Sequence, residues 1–205
     1  MIADCTAIIL AGGDSRRMGN DKADLQLGDL TLLQHVIATM QKLFPEVILS
    51  VRRPRREIDL PQVCDDLPVE GIPRAGPLAG LTAGLGHIAT PWAFVVGCDM
   101  PYVAPKVVEL LGRYRTHCQA VVPFVHGHPQ PMVAYFARSC LDSIHTHLES
   151  GGKNSLRAIL GQIQVRYVGE TELLQADPDL RSFFDLDTPQ DVELAMKIDA
   201  EKYRR

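Results

Sequence analysis

The residues best suited to chemistry form a loop directly behind the first apolar run of the chain, residues 7–10. The glycines and cations of this loop are Gly12, Gly13, Arg16, Arg17, Gly19 and Lys22. Glycine lets backbone N–H groups approach a phosphate closely, because it has no side chain and tolerates positive φ. Arginine and lysine offset the charge of a phosphate. The loop therefore predicts a nucleotide site at the carboxyl end of the first strand, where open α/β sheets bind ligands.

This loop matches neither of the two common phosphate-binding signatures. A P-loop has four residues between its glycines and then Lys-Ser/Thr, whereas five residues separate Gly13 from Gly19 and Ala23 follows Lys22. The Gly-x-Gly-x-x-Gly signature is absent too. A glycine-rich turn with a solvated basic face is the alternative interpretation. The order of strand, paired glycines, paired arginines, glycine and lysine favours the nucleotide site.

Carboxylates follow two later segments of the chain. Asp99 comes directly after the apolar run 92–97, and Pro101 prevents that strand from continuing. Asp99 is therefore expected at the same sheet edge as the glycine loop, where it would hold Mg²⁺, which prefers oxygen ligands. Asp185 and Asp187 would point the same way from an extended segment, and one of them could join Asp99 at the metal. The alternatives are a turn or N-cap role for Asp99 and capping of the last helix for Asp187.

Strand-like and helix-like segments alternate along the chain and would position these residues. Strands are predicted at residues 7–10, 47–51, 92–97, 120–124, 132–136 and 163–168, with a short one at 183–185. Helices are predicted at residues 32–43, 78–88, 103–114, 141–148 and 154–160, with a last helix that begins at Thr188. Such alternation predicts an α/β fold, in which helices cover both faces of a mostly parallel sheet.

The composition excludes several classes of protein. The 205 residues contain 46% hydrophobic and 22% charged residues, which is ordinary for a soluble globular domain. The net charge of −4 gives no overall nucleic-acid footprint. No nucleic-acid partner is therefore expected. No apolar run approaches 18 residues and no signal-peptide pattern is present, so no membrane partner is expected either. The five cysteines include no Cys-x-x-Cys pair, which indicates reduced thiols in the cytoplasm rather than a zinc site.

Several motifs occur in an order that is similar to a known family. They are Leu10-Ala11-Gly12-Gly13, Arg17-Met18-Gly19, Lys22, Gly76-Pro77-Leu78-Ala79-Gly80, Cys98-Asp99-Met100-Pro101 and Asp187-Thr188-Pro189. The chain resembles the nucleotidyltransferases of the glycosyltransferase-A-like fold and, within them, the molybdenum cofactor guanylyltransferases. The resemblance implies a single domain over residues 1–205, with the Rossmann-like three-layer α/β/α fold of the nucleotide-diphospho-sugar transferases and a mostly parallel mixed sheet. It also implies transfer of GMP from GTP to molybdopterin, with release of pyrophosphate.

The resemblance further implies roles for individual residues. It gives catalytic roles to Arg17, Lys22 and Asp99, and it gives Mg²⁺ the ligands Asp99 and Asp187. The nucleotide contacts that it implies are Leu10, Ala11, Gly12, Gly13, Lys22, Ser50, Asp66 and Asp99. Asp65 is the alternative to Asp66, since the two are adjacent. The family often carries asparagine where this chain has Ser50, Asp185 and Asp187.

The acceptor is expected in the second half of the chain, residues 102–205, while residues 1–101 would bind the nucleotide. Lys153, Ser155 and Arg157 follow a glycine pair at a predicted helix start and could bind a pterin phosphate there. Lys153 and Arg157 are four residues apart, so they would share one face of that helix. The predicted acceptor set also includes Gly76, Pro77 and Gln130. A solvated helix start is the alternative interpretation of residues 153–157.

Other functions remain open at this point. Within enzymes, the alternatives are a CTP-dependent molybdopterin cytidylyltransferase and a sugar-phosphate nucleotidyltransferase. A non-catalytic, regulatory nucleotide-binding module would keep the glycine loop but would need no metal-binding carboxylates, so Asp99 favours catalysis. The partners expected besides GTP and molybdopterin are proteins that deliver the molybdenum cofactor and chaperones of molybdoenzymes.

Overall fold

The computed structural model describes residues 1–12, 21–65 and 76–202. Its strands are β1 (Cys5–Leu10), β2 (Gln26–Leu27), β3 (Leu30–Thr31), β4 (Val47–Val51), β5 (Gln62–Cys64), β6 (Trp92–Gly97), β7 (Ala120–Val125), β8 (His128–Pro129), β9 (Val133–Ala137) and β10 (Val165–Gly169). Its α-helices are α1 (Leu32–Leu43), α2 (Pro77–His87), α3 (Pro105–Gly112), α4 (Cys140–Glu149), α5 (Leu156–Ile159), α6 (Glu170–Leu173) and α7 (Pro189–Lys202). Short 3₁₀ helices span Lys22–Asp24 and Arg181–Phe183.

The main sheet has the strand order β10-β7-β9-β6-β1-β4-β5, and β8 pairs with β7. β1 runs parallel to its neighbours β4 and β6, so that Leu10 lies opposite Ser50 on one side and Gly97 on the other. β5 continues the parallel part beyond β4, whereas β9 is antiparallel to β6 and β7. The carboxyl ends of β1, β4, β5 and β6 therefore meet at one edge of the sheet.

Helices cover both faces of this sheet. Every residue of β1 is buried. Ala7 and Ile9 pack in one core cluster with side chains of α1 and α3, whereas Ile8 and Leu10 pack in a second cluster with side chains of α2, α4 and α5. Successive side chains of a strand point to opposite faces, so a continuous apolar run marks a strand that is buried on both. The fold is a three-layer α/β/α arrangement around a mixed, mostly parallel sheet, as predicted.

The longest helices begin at polar caps that the sequence shows. Before α1, the Thr31 hydroxyl accepts a hydrogen bond from the Gln34 N–H at 3.2 Å, and the Gln34 side chain accepts one from the Thr31 N–H at 2.8 Å. Before α7, the Asp191 carboxylate accepts from the Thr188 N–H at 2.7 Å, and the Thr188 hydroxyl accepts from the Asp191 N–H at 3.1 Å. Both pairs form capping boxes. Thr188, rather than Asp187, is thus the cap of the last helix.

The predicted strand at residues 183–185 is wrong. The chain there ends the 3₁₀ helix Arg181–Phe183 and continues without ladder pairing. Its link to the sheet edge is a backbone hydrogen bond of 2.9 Å, which the Leu186 N–H donates to the Asp99 carbonyl. A pair of phenylalanines resembles a buried strand in sequence, yet Phe183 and Phe184 pack against core clusters without joining a ladder.

The helix predicted at residues 154–160 is shorter in the structure, because α5 begins at Leu156. Lys153 lies before the helix, so the argument that Lys153 and Arg157 share a helical face is wrong. Sequence patterns also gave no sign of β5, whose three residues lie at the edge of the sheet and follow no apolar alternation.

Two further observations concern the whole described chain. All five cysteines are free thiols. Over the described ranges, no helix is both long enough and apolar enough to span a bilayer.

Candidate active site

A cleft of about 210 Å³ opens at the carboxyl edge of β1, β5 and β6. Its described lining consists of Leu10, Gly12, Asp21, Lys22, Asp65, Gly76, Pro77, Gly80, Cys98, Asp99 and Met132. The fold thus brings together residues that are up to 122 positions apart in the chain, counted from Leu10 to Met132. Six of the predicted site residues are among them, namely Leu10, Gly12, Lys22, Gly76, Pro77 and Asp99.

Lys22 is the cationic residue in the described lining of this cleft. It begins the 3₁₀ helix Lys22–Asp24, which is capped by Asp21, whose carboxylate accepts a hydrogen bond from the Ala23 N–H at 3.1 Å. The Lys22 ammonium donates a hydrogen bond to the Asp187 carboxylate, and its Nζ lies 3.9 Å from Asp99 Oδ2. Partial burial lowers the pKa of Lys22, but Asp187 and Asp99 raise it more, so that the pKa lies above its ordinary value. Lys22 therefore carries its positive charge into the cleft.

Asp99 is the partly buried carboxylate at the end of β6, with 21% of its side chain exposed. Burial raises the pKa of Asp99, the Lys22 ammonium lowers it, and Asp187 and Asp185 raise it further. The pKa ends above its ordinary value. The hydrogen bond from the Leu186 N–H to the Asp99 carbonyl holds the segment of these two carboxylates beside Asp99. Asp187 and Asp99 thus approach the same ammonium, and their predicted joint binding of a metal stays a prediction.

The residues at this position fit a divalent cation. Asp99 and Asp187 approach the same ammonium, so their oxygens converge on a place that already accommodates positive charge. Carboxylate oxygens are the ligands that Mg²⁺ prefers. The described residues include no group of three or more His, Cys, Asp or Glu side chains arranged to hold a metal. Mg²⁺ bound here would therefore complete its coordination with water or phosphate oxygens, as it does in many phosphate-binding sites.

Two glycines make room in the floor of the cleft. A Cβ atom on Gly12 would overlap the carboxylate of Asp65. A Cβ atom on Gly80 would lie 2.9 Å from both Leu10 Cδ2 and Ser50 Oγ. Both positions therefore favour glycine, since a side chain there would displace its neighbours.

Asp65 is a site residue outside the main set of predicted contacts. It follows β5, its N–H donates a hydrogen bond to the Val51 carbonyl at 3.0 Å, and its buried carboxylate lines the cleft beside Gly12. The sequence gave it only as the alternative to Asp66. Asp66 lies outside the described residues, as do Gly13 and Arg17. The roles predicted for those three residues stay predictions.

The other predicted nucleotide contacts lie deeper. Ala11 is buried, and its N–H donates to the Ser50 carbonyl at 2.8 Å. Ser50 is fully buried beneath Gly80, and its hydroxyl has no hydrogen-bond partner among the residues described. Ser50 thus lies below the cleft rather than in its lining, and its predicted contact with the nucleotide stays a prediction.

The predicted acceptor residues are only partly brought together. Gly76 and Pro77 line the cleft at the start of α2, and Asn154 Nδ2 would lie 3.6 Å from a Cβ atom on Gly76, whose φ is +118°. The loop before α5 therefore approaches this side of the cleft. Its flanking residues Lys153 and Arg157 are exposed, while Ser155 is half-buried.

Gln130 is not brought into the lining of the cleft. Its side chain donates to the Val125 carbonyl at 3.5 Å, and Met132 lines the cleft instead. Sequence reasoning missed both Met132 and Asp21. Only Asp21 had a signal, its position next to Lys22.

Known proteins are similar to this chain over most of its length. The sequence model of one protein family, the MobA-like NTP transferase domain, matches residues 7–167. A molybdenum cofactor guanylyltransferase of Desulfosudis oleivorans is 31% identical over 93% of both chains. A probable molybdenum cofactor guanylyltransferase of Pelotomaculum thermopropionicum is 34% identical over 97% of this chain and 95% of its own.

Solved structures share the fold. The molybdopterin-guanine dinucleotide biosynthesis protein A of Archaeoglobus fulgidus superposes with a TM-score of 0.80 at 27% identity, over 96% of this chain and 99% of its own. The 2-C-methyl-D-erythritol 4-phosphate cytidylyltransferase of Thermus thermophilus superposes with a TM-score of 0.67 over 94% of this chain and 97% of its own. Its 19% identity shows a common fold alone.

Proposed function

The chain belongs to the MobA-like NTP transferase family, and from this premise we propose that it transfers GMP from GTP to molybdopterin. The products are the guanine dinucleotide form of the cofactor and pyrophosphate. The choice of guanine and of a molybdopterin acceptor is supported by the names of relatives that match nearly the whole chain. The observation that carries the proposal is the position of Lys22 between Asp99 and Asp187, beside the glycine-lined floor of the cleft.

The chemistry requires no covalent intermediate with the protein. An oxygen of the acceptor's terminal phosphate attacks the α-phosphorus of GTP, and the bond from that phosphorus to the oxygen of the β-phosphate breaks. The electron pair leaves with pyrophosphate. Both reactants are anions, so their mutual repulsion opposes the attack, and positioning together with charge compensation provides the catalysis.

Cationic side chains of the protein would offset this repulsion between the reactants. Lys22 contacts the triphosphate from the cleft, and Arg17 is its expected partner on the glycine loop. Asp99 and Asp187 would hold Mg²⁺, which would offset phosphate charge and favour departure of pyrophosphate. Asp65, Gly12 and Gly80 shape the space that the nucleotide occupies.

The remaining parts of the proposal concern the surroundings of the reaction. Residues 1–101 supply most nucleotide contacts, and residues 102–205 select the acceptor. Five free thiols suit a reducing compartment, which supports a cytoplasmic location. Proteins that deliver the molybdenum cofactor, and molybdoenzyme chaperones that receive the product, are the expected partners.

A nucleotide panel tests the proposal. The purified protein is mixed with molybdopterin and with GTP, CTP, ATP or UTP, and pyrophosphate release is measured with Mg²⁺ and after chelation by EDTA. Release with GTP and Mg²⁺ that exceeds release with each other nucleotide by tenfold or more supports the proposal. Preference for CTP would indicate a cytidylyltransferase, and a sugar phosphate that replaces molybdopterin would indicate a different acceptor class. Nucleotide binding without turnover on any acceptor would indicate a regulatory module.

A further inference from the structure

An arginine from a distant part of the chain holds the 3₁₀ helix that carries Lys22. Arg55 lies in the connection between β4 and β5, with only 12% of its side chain exposed. Its Nη1 donates to Asp24 Oδ1 at 2.6 Å, and its Nη2 donates to the Asp21 carboxylate. One guanidinium thus binds the acidic residues on both sides of Lys22. Its planar fork suits this task, because it presents separate donors in fixed directions.

The backbone of Arg55 is itself fixed to the sheet. Its N–H donates to Gln62 Oε1 at 2.8 Å, and its carbonyl accepts from Gln62 Nε2, also at 2.8 Å. Gln62 is the first residue of β5, which pairs with β4. The guanidinium therefore extends from a braced loop, and the position of the 3₁₀ helix is tied to the main sheet.

The residue that follows β5 reaches the other end of the glycine loop. This residue is Asp65, whose carboxylate lies against Gly12. Gly12 and Asp21 are the described residues on either side of positions 13–20. Residues 52–65 thus contact both flanks of the predicted nucleotide loop, through Asp65 on one side and Arg55 on the other.

The charges explain why this contact bears on nucleotide binding. Asp21 lines the cleft, and Asp24 lies two residues beyond Lys22. Without Arg55, these carboxylates would attract the Lys22 ammonium away from a triphosphate. With Arg55 in place, both carboxylates are hydrogen-bonded to a guanidinium that lies outside the lining of the cleft and offsets one of their two negative charges.

We propose that Arg55 is a positioning residue for Lys22. By binding Asp21 and Asp24, it fixes the 3₁₀ helix and leaves the Lys22 ammonium directed at the nucleoside triphosphate. The inference rests on the proposed function, because it concerns how the nucleotide of that reaction meets Lys22.

Calorimetric titration of GTP, without any acceptor, tests the inference on the full chain. The variants are Arg55→Ala, Arg55→Gln and, as the control, Arg56→Ala. Arg56 is the next residue of the same loop, and Arg56→Ala removes the same positive charge. Its side chain is exposed, which makes it a suitable control for the partly buried Arg55. We expect both Arg55 variants to weaken GTP affinity about tenfold, which is typical of losing one charge-assisted contact to phosphate, here that of the displaced Lys22. Arg56→Ala should change the affinity less than twofold.

A double-mutant cycle shows whether Arg55 acts through Lys22. In the Lys22→Ala background the ammonium is gone, so Arg55→Ala should cause little further loss of affinity. A general structural role would instead make the two losses multiply. Thermal unfolding of each variant shows whether it is folded, and Arg55→Gln keeps most of the side-chain volume if Arg55→Ala does not fold.

The outcomes separate this inference from the proposed function. Wild-type-like affinity of Arg55→Gln, equal losses in the Arg55 and Arg56 variants, or multiplying losses in the cycle would each overturn the positioning role while the proposed function stands. A wild-type protein that binds no nucleoside triphosphate would overturn the proposed function, and the inference with it.

Discussion

The two sides of the cleft are built differently. On the nucleotide side, Asp65 follows β5, Asp99 follows the buried strand β6, and ion pairs hold Lys22 in place. On the proposed acceptor side, Lys153 and Arg157 are exposed residues around a helix of four residues. A side chain that is already held in position loses little conformational entropy when a ligand binds, whereas an exposed lysine or arginine loses more. We therefore expect substitutions on the nucleotide side to have larger effects.

The largest effect is expected at Asp99. Asp99→Ala removes the partly buried carboxylate that would hold the metal, so turnover should fall about a hundredfold or more, on the scale of losing one charge-stabilising group in an active site. Pyrophosphate release measured over a range of Mg²⁺ concentrations checks this.

Asp29→Ala is the control for Asp99→Ala, since Asp29 is an exposed aspartate in the turn between β2 and β3. It should leave turnover unchanged. Near-wild-type turnover of Asp99→Ala would contradict a metal-binding role for Asp99. It would also contradict the expected difference between the nucleotide side and the acceptor side of the cleft.

A smaller effect is expected at Gly12. In Gly12→Ala the new Cβ atom would displace the Asp65 carboxylate from its place in the cleft. Forcing a side chain out of its position costs about 1–3 kcal/mol, so GTP affinity measured by calorimetry should fall about tenfold.

Gly86→Ala on α2 is the matched control for Gly12→Ala, because a Cβ atom there meets nothing within 4 Å. It should leave affinity unchanged and stabilise the protein slightly, by about 0.5–1 kcal/mol. If Gly12→Ala bound GTP like the wild type, the packing of Asp65 against Gly12 would have no part in nucleotide binding.

The smallest effect is expected on the acceptor side. The double change Lys153→Ala and Arg157→Ala should raise the KM for molybdopterin about threefold to tenfold, since exposed charge contacts contribute little each. GTP affinity should stay unchanged.

Lys106→Ala with Arg113→Ala removes two exposed cations at α3, which packs on the other face of the sheet, and serves as the control for net charge. A matching rise of KM in this control, or an equal loss for both substrates in the first variant, would contradict an acceptor role for Lys153 and Arg157. No change at all would move the acceptor toward Gly76 or Gln130.

Local sequence patterns correctly predicted those elements whose structure depends on a single short segment of the chain. The apolar run of β1 and the Thr188 cap of α7 are such cases, because the burial of a run and the capping of a helix depend on neighbouring residues. Local patterns did not predict the short segments correctly. Residues 183–185 have the composition of a strand but form no ladder, and their phenylalanines pack against core side chains instead. The strand β5 forms at an edge without an apolar pattern.

The sequence by itself determined the fold class, the glycine loop with its lysine and the carboxylate after β6, because each is encoded in a contiguous run of residues. Only the tertiary structure decided that Asp187 joins Asp99 at Lys22, that Asp65 lies against Gly12, and that Arg55 binds both neighbours of Lys22. Those pairs are 88, 53 and about 30 residues apart, counted from Asp99 to Asp187, from Gly12 to Asp65 and from Asp21 or Asp24 to Arg55. No local propensity links such residues, since they meet only when parallel strands bring their carboxyl ends to one edge of the sheet.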